Sequence, residues 1–286
     1  MGWQAKVVRL AILGRVPFGE SLRKLKRRLF GYEPNPGNID RTLENMQSMK
    51  RVLAEGDKSI QGARILEIGS GWFPAIPIMF LLDGARKVLL TDLNRHMDSV
   101  TFEATVKHLR GLFPENQGLK KIKHLADLPL TYLAPFDPST LSNASIDIVI
   151  SRTVLEHIPP ADIVTFLSAL RPKMAPGGVM AHYVDHSDHF EHIDKSISRI
   201  NFLTWSDSKH RMINTLTKEG ENRLRHHQYE ALFREAGYSV IASIPELHQA
   251  TVEAAKTLKM VAPFDTMSPE QLAVMGTTFL LTPASA

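Results

Sequence analysis

An acidic residue beside two glycines, followed about twenty positions later by a second acidic residue, is the first pattern in this sequence with a clear chemical use. Glu67 precedes Gly69 and Gly71 at the end of one apolar run, and Asp92 ends the next. Glycines at a strand-to-helix turn let the backbone approach a ligand closely, and a carboxylate at the position of Asp92 reaches ribose hydroxyls. The pattern predicts a nucleoside cofactor site; the alternative is a tight turn whose acidic residue merely caps a helix.

Charge indicates which nucleoside cofactor binds there. A dinucleotide site carries a third glycine in G-x-G-x-x-G, where the pyrophosphate rests on a helix N-terminus. In this sequence Pro74 takes the place of that glycine. The carboxylate of Glu67 would repel a pyrophosphate and attract an ammonium or a sulfonium. The sequence therefore favours S-adenosylmethionine over NAD.

Acid–base groups follow two other apolar runs. His157 comes just after residues 146–151, and Asp185 and His186 leave residues 179–185 at the end where ligands bind in open α/β sheets. We predict these three as the catalytic groups, since a hydroxyl or amine that accepts a methyl group must lose a proton.

The histidine-rich segment that begins at His186 has two other interpretations. One is a divalent metal site formed by His186, His189 and His192. The other is a polar loop that leads into a helix capped by Asp188, with Glu191 in the box position. The prediction adopted here includes no metal.

Alternating strands and helices must position these groups, and this order predicts an α/β fold. Strands separated by helices form a parallel sheet with helices on both faces, here a Rossmann-like, doubly wound, mostly parallel one. The predicted strands are 64–69, 87–93, 121–127, 146–151, 179–185, 238–243 and 277–282, and the predicted helices between them are 74–82, 96–112, 161–174 and 228–236.

The rest of the chain forms two attachments to this sheet. Residues 1–37 are predicted as a basic N-terminal helical appendage, in which 19–30 is a cationic amphipathic helix that either docks on the body or makes weak contact with an anionic membrane. Residues 38–286 form the main domain, whose first helix is capped by Asp40 and ends at Gly56. Residues 186–226 are predicted as a lid or acceptor-binding insert.

Composition excludes several classes of protein. The 286 residues are 43% hydrophobic and 22% charged, values typical of a globular chain, and there are no cysteines for thiolate chemistry or Cys-ligated metals. The first 30 residues hold eight Lys/Arg against one Glu (+7), and the other residues hold 26 against 29 (−3), so no basic groove for nucleic acid is expected. We also find no secretory signal or membrane span and predict a cytoplasmic location.

Five segments together resemble class I S-adenosylmethionine-dependent methyltransferases, and more narrowly the stand-alone bacterial enzymes that act on small molecules or saccharides. They are LEIGSG (66–71), LLTDL (89–93), LADLP (125–129), IDIVISRTVLEHI (146–158) and LRPKMAPGGV (170–179). The resemblance covers residues 60–185 and is specific for methyl transfer, not for the acceptor. Phe73 departs from it, since many members have a glycine there.

The resemblance implies roles for particular residues of this sequence. The methionine part of the cofactor would lie on Glu67, Gly69, Ser70 and Gly71, and the ribose on Asp92 beside Leu93. The adenine would lie on Asp127 and the backbone of Leu128, and the sulfonium beside Ser151.

These observations predict a methyltransferase that acts on a hydroxyl oxygen of a small molecule or saccharide. A non-catalytic cofactor-binding module that works through a protein partner is the alternative. Nucleic-acid methylation is disfavoured, because the sequence has no Asn/Asp-Pro-Pro-Tyr/Phe tetrapeptide.

Overall fold

A seven-stranded sheet forms the centre of the protein in a computed structural model that describes residues 2–13, 36–218 and 220–284. The strand order is β3-β2-β1-β4-β5-β7-β6, with β7 antiparallel to both of its neighbours and the first five strands parallel. The strands are β1 (Arg64–Ile68), β2 (Lys87–Thr91), β3 (Leu130–Leu133), β4 (Ile146–Arg152), β5 (Met174–Asp185), β6 (Tyr238–Leu247) and β7 (Val274–Pro283). The predicted Rossmann-like, mostly parallel fold is confirmed.

Helices cover both faces of the sheet, where their apolar surfaces form two cores with the strands. The helices are α1 (Trp3–Leu13), α2 (Pro36–Glu55), α3 (Ala75–Leu82), α4 (Ser99–Leu112), α5 (Gln117–Lys121), α6 (Pro160–Leu170), α7 (Asp207–Thr217), α8 (His226–Glu235), α9 (Gln249–Thr257) and α10 (Pro269–Leu272). Helices α2, α3 and α4 pack on one face, and α6 and α8 pack on the other. No helix among the described residues is long and apolar enough to cross a bilayer.

The alternation of side chains along each strand decides which groups share a face. Ile65 and Ile150 lie in the core under α2, so Glu67 and Arg152, two residues further along each strand, point to that face as well. On β5, Tyr183 and Asp185 point the same way, whereas His182, Val184 and His186 point to the α8 face. The α2 face therefore gathers charged groups at the carboxyl edge of the sheet.

A third, smaller core joins the N-terminal helix to the predicted insert. Trp3 of α1 stacks on Trp205 with ring centroids 5.0 Å apart and contacts Phe190 at 5.6 Å. The backbone N–H of Trp3 donates to Asp194 Oδ2 at 2.8 Å. The first helix thus docks on the insert, while the predicted cationic helix at 19–30 lies outside the described residues.

Several predicted local features were wrong. Residues 121–127 do not form the third strand: Asn116 caps the short helix α5, and Leu130 and Tyr132 make the strand contacts with β2. Helix α2 begins at Pro36, so Asp40 lies inside it instead of capping it.

The segment that follows Asp188 is also not a helix. The carboxylate of Asp188 accepts from the backbone N–H of Phe190 at 2.8 Å, and the chain continues as turns. Two other expectations are confirmed, since α2 ends just before Gly56 and β1 begins at Arg64.

Candidate active site

A cleft of about 660 Å³ lies between α2 and the carboxyl edge of the sheet. Its floor is formed by the ends of β1, β4 and β5, and the loops that follow these strands form its sides. The glycine turn after β1 lies at one end, and the histidine-rich loop after β5 lies at the other. One cleft therefore combines the two groups of residues that the sequence singled out.

The glycine turn is held close to the end of β2. Gly69 and Ser70 donate their backbone N–H groups to the carbonyl of Thr91 at 2.9 and 3.0 Å. Gly69 and Gly71 have φ angles of +68° and +59°, in the left-handed region that favours glycine. A Cβ atom on Gly69 would lie 2.4 Å from a Val154 methyl group. Glycine is required there by both conformation and space.

Asp92 lies directly behind the glycine turn. Its Oδ2 accepts from the backbone N–H of Gly71 at 3.0 Å, and its Oδ1 accepts from its own neighbour Leu93 at 2.7 Å. His96 Nε2 lies 3.7 Å from Oδ1, and the His96 ring contacts Trp72. The carboxylate thus connects the first two strand ends, while Leu93 itself is 80% exposed.

Glu67 carries a buried carboxyl group whose charge Ser70 and Arg152 stabilise only in part. The residue is buried and lines the cleft, and its Oε2 has no hydrogen-bond partner among the described residues. Burial raises the pKa of Glu67 to about 7. A buried carboxyl group facing a cleft favours a cationic ligand, since the cation supplies the charge that solvent would otherwise supply.

The predicted adenine contacts lie away from the other cofactor residues. Asp127 and Leu128 precede β3 and do not line the cleft, and Asp127 Oδ2 accepts from the backbone of Lys123 and His124. Residues 134–137 follow β3 instead, and Phe136 donates its backbone N–H to the carbonyl of Asp92 at 3.1 Å. The misplaced third strand explains why the sequence placed the end of β3 at Asp127 and Leu128.

Two more predicted residues point to the opposite face of the sheet. Ser151 Oγ lies 2.8 Å from His182 Nδ1 in the core beneath α8, and its side chain does not line the cleft. His186 is also buried there, 3.0 Å from Thr277 Oγ1, and burial lowers its pKa well below the usual value. This placement does not support His186 as a base, because it cannot meet an acceptor in the cleft.

The other two predicted catalytic residues line the cleft, and two further histidines accompany them. Asp185 Oδ1 accepts from Ser187 Oγ at 2.6 Å, and Asp185 Oδ2 lies 3.9 Å from Nε2 of His189 and of His192. The rings of His157 and His189 have centroids 5.0 Å apart. The fold thus assembles a carboxylate and three imidazoles at the end of the cleft formed by the loop after β5.

The α2 wall of the cleft escaped the sequence prediction. Arg41, Asn45 and Ser48 line it, and Arg152 Nε donates to Asn45 Oδ1 at 2.8 Å. Asn45 and Ser48 are buried although polar. Asn45 and Ser48 are three residues apart, so they share one face of α2 beside its apolar side chains. This spacing was the available signal in the sequence, because buried polar side chains on one helix face indicate a polar partner.

Comparison with known families gives a match over most of the sequence. Residues 19–243 match a family model described as a methyltransferase domain. A search of curated proteins found no match.

Solved structures of low identity have a similar fold. A proposed sarcosine dimethylglycine methyltransferase from Galdieria sulphuraria has a TM-score of 0.52 and 14% identity, with 93% of this chain and 98% of that chain covered. An S-adenosylmethionine-dependent methyltransferase from Mesorhizobium loti has a TM-score of 0.48, 16% identity and coverage of 82% and 95%. The CurJ carbon methyltransferase has a TM-score of 0.42, 16% identity and coverage of 79% of this chain, which spans only 49% of that structure's length.

Proposed function

This chain belongs to the methyltransferase-domain family and is S-adenosylmethionine-dependent, and from that premise we propose that it methylates a hydroxyl oxygen of a small molecule or saccharide. The observation that carries the proposal is the shared cleft. Glu67 and the glycine turn lie at one end of it, and Asp185 with its histidines lies at the other. A donor at the first end would face an acceptor held at the second.

The residues at the glycine end suit the cofactor in charge and in shape. The unpartnered Oε2 of Glu67 offers an acceptor to the ammonium of the methionine part, and the two left-handed glycines leave room beside the backbone. We propose that Asp92 holds the ribose and that residues 134–137, in place of Asp127 and Leu128, border the adenine. When bound, S-adenosylmethionine supplies a methyl group on a sulfonium, which is a good leaving group.

The residues at the acceptor end would orient a hydroxyl and remove its proton. Alignment of reactants in a closed site can supply about 7 to 11 kcal/mol of a barrier. The Asp185 carboxylate, together with the imidazoles it faces, is the proton acceptor in this proposal, and His157 contacts the acceptor. Arg152, between Asn45 and the strand ends, helps to hold polar groups of the acceptor on the α2 side.

Calorimetry and labelled-methyl transfer test the proposal. We expect S-adenosylmethionine to bind and Asp92→Ala to weaken that binding by about 10- to 100-fold, the value of hydrogen bonds to a charged group. Labelled cofactor should then transfer its methyl group to hydroxylated members of a metabolite library. Transfer only to amines or to carbon would contradict the oxygen acceptor, and binding without any transfer would favour the non-catalytic module.

A further inference from the structure

Three potential metal ligands meet at the acceptor end of the cleft. Glu156, His157 and His189 each offer one ligand atom, and these atoms all lie within 4.8 Å of one another. Glu156 and His157 belong to a 3₁₀ turn after β4, and His189 to the loop after β5. His157 and His189 line the cleft, so the group opens toward the acceptor.

Glu156 is the least satisfied of the three. It is 1% exposed, and neither carboxylate oxygen has a hydrogen-bond partner among the described residues. The carboxyl groups of Asp185 and Glu221 lie close enough to Glu156 to interact with it electrostatically. Asp188 and Glu221 are themselves buried. A cation at this point would compensate a local excess of carboxyl groups.

The two histidines place imidazole nitrogens at the surface of the cleft. His189 is only partly exposed and lies beside Asp185. Its Nε2 lies 3.9 Å from Asp185 Oδ2, and a carboxylate beside a ligating imidazole is the usual orienting partner at metal sites. Imidazole ligands favour a divalent transition metal over an alkaline-earth ion.

We propose that Glu156, His157 and His189 bind a divalent cation, Zn²⁺ in the first instance, with an open position toward the cleft. Two imidazoles and one carboxylate with a free fourth position are the ligand set of catalytic zinc sites. Such an ion holds its ligand atoms about 3.4 Å apart at bond lengths of about 2.1 Å, so changes of about an ångström in the side chains complete the set.

The role of this ion rests on the proposed function. The open position takes the hydroxyl oxygen of the acceptor and lowers the pKa of that hydroxyl. The O–H bond then breaks, the proton passes to Asp185, and the oxygen lone pair forms the bond to the methyl group as the sulfonium leaves as a thioether. The site accordingly selects oxygen acceptors.

Metal titration of the chelator-treated full chain tests the site without cofactor or acceptor. We expect one equivalent of Zn²⁺ by calorimetry, and Co²⁺ to give visible absorption typical of tetrahedral coordination. His189→Ala and Glu156→Gln should each weaken binding by more than about 100-fold, since even outer partners contribute 10- to 100-fold. His227→Ala, an exposed position on α8, is the matched control and should bind as the wild type does.

Absence of saturable Zn²⁺ binding, or equal binding by His189→Ala and His227→Ala, would overturn the inference. Thermal melting of each variant separates lost binding from lost folding, and His189→Ala decides the matter if buried Glu156→Gln does not fold. The result is independent of catalysis. Metal binding without methyl transfer would refute the proposed function alone, and methyl transfer that resists chelators, without metal binding, would refute only the metal site.

Discussion

The carboxyl group of Glu67 should favour cofactor binding but lower the stability of the folded protein. Its pKa is raised from the usual 4.5 to about 7, so the folded protein becomes less stable as pH rises above 4.5 and the buried carboxyl must ionise. Glu67→Gln removes this cost and should increase the free energy of unfolding by up to about 3 kcal/mol at pH 8, with little gain at pH 5.

The same substitution should weaken S-adenosylmethionine binding by about 10- to 100-fold, because the ammonium loses its charged partner. Urea unfolding at the two pH values and calorimetry measure the two effects on one variant. A Glu67→Gln protein that is less stable at pH 8, or that binds the cofactor normally, would contradict the role given to this carboxylate.

Asp185 and His157 are the residues whose loss should affect turnover more than cofactor binding. Removal of a general base costs about 10²- to 10⁴-fold in rate. We expect Asp185→Asn, which removes the proposed base, to lower kcat within this range. His157→Ala, which removes a contact to the acceptor, should lower kcat less, and the cofactor Kd should change only a few-fold in both variants. Steady-state rates beside calorimetry distinguish the two quantities, with His227→Ala as control. Unchanged turnover in both variants would require a different base.

The turn between β1 and α3 is the element whose geometry the cofactor site requires. Gly69→Ala places a methyl group 2.4 Å from a Val154 methyl group at a left-handed φ. Gly62→Ala has a similar φ of +73° with nothing within 4 Å, so it isolates the conformational cost. Gly62→Ala should cost about 1 kcal/mol, and Gly69→Ala about 2 to 3 kcal/mol more. Equal decreases in the free energy of unfolding of the two variants, measured with urea, would show that the turn adjusts to the added methyl group at little cost.

The protein contains both acids and histidines whose pKa values are shifted by burial. As pH changes, the two kinds of group change the stability of the fold in opposite directions. Burial raises the pKa of five acids: Glu67 (to about 7), Asp188 (to about 6), Glu156, Glu221 and Glu246. Burial lowers the pKa of seven histidines: His182 (to about 3), His189 and His210 (each to about 4), and His186, His192, His226 and His248. An acid with a raised pKa makes the folded protein less stable as pH rises above about 4.5. A histidine with a lowered pKa makes it less stable as pH falls below about 6.5.

The protein without ligands should therefore be most stable between about pH 4.5 and 6.5, where the two effects offset each other. Its Tm should fall as pH rises from 6.5 to 8, because in that range only the acids still change between the folded and unfolded chains. Calorimetric melting across this range, in buffers of equal ionic strength, is the measurement. A Tm that rises steadily from pH 5 to pH 8 would contradict the expectation.

Local patterns in the sequence were enough to predict the sheet, the glycine turn and the Glu67/Asp92 pair. Apolar runs bounded by glycines are properties of neighbouring residues, and the carboxyl ends of parallel strands meet at one edge of a sheet. Residues 121–127 were the exception, since a basic segment with two leucine or isoleucine side chains suits a strand or a short helix equally well. Because of that error, the predicted adenine contacts Asp127 and Leu128 lie before β3 and not at its carboxyl end.

Only the tertiary structure decided which polar groups share the cleft. Consecutive strand residues point to opposite faces, so a shift of one position separates Asp185, in the cleft, from His186, in the core. Likewise, His157 and His189 meet because two loops end at the same edge, and Asn45 joins them from a helix more than a hundred residues earlier. Such contacts arise between segments far apart in the chain, where no local pattern of residue types specifies the distance.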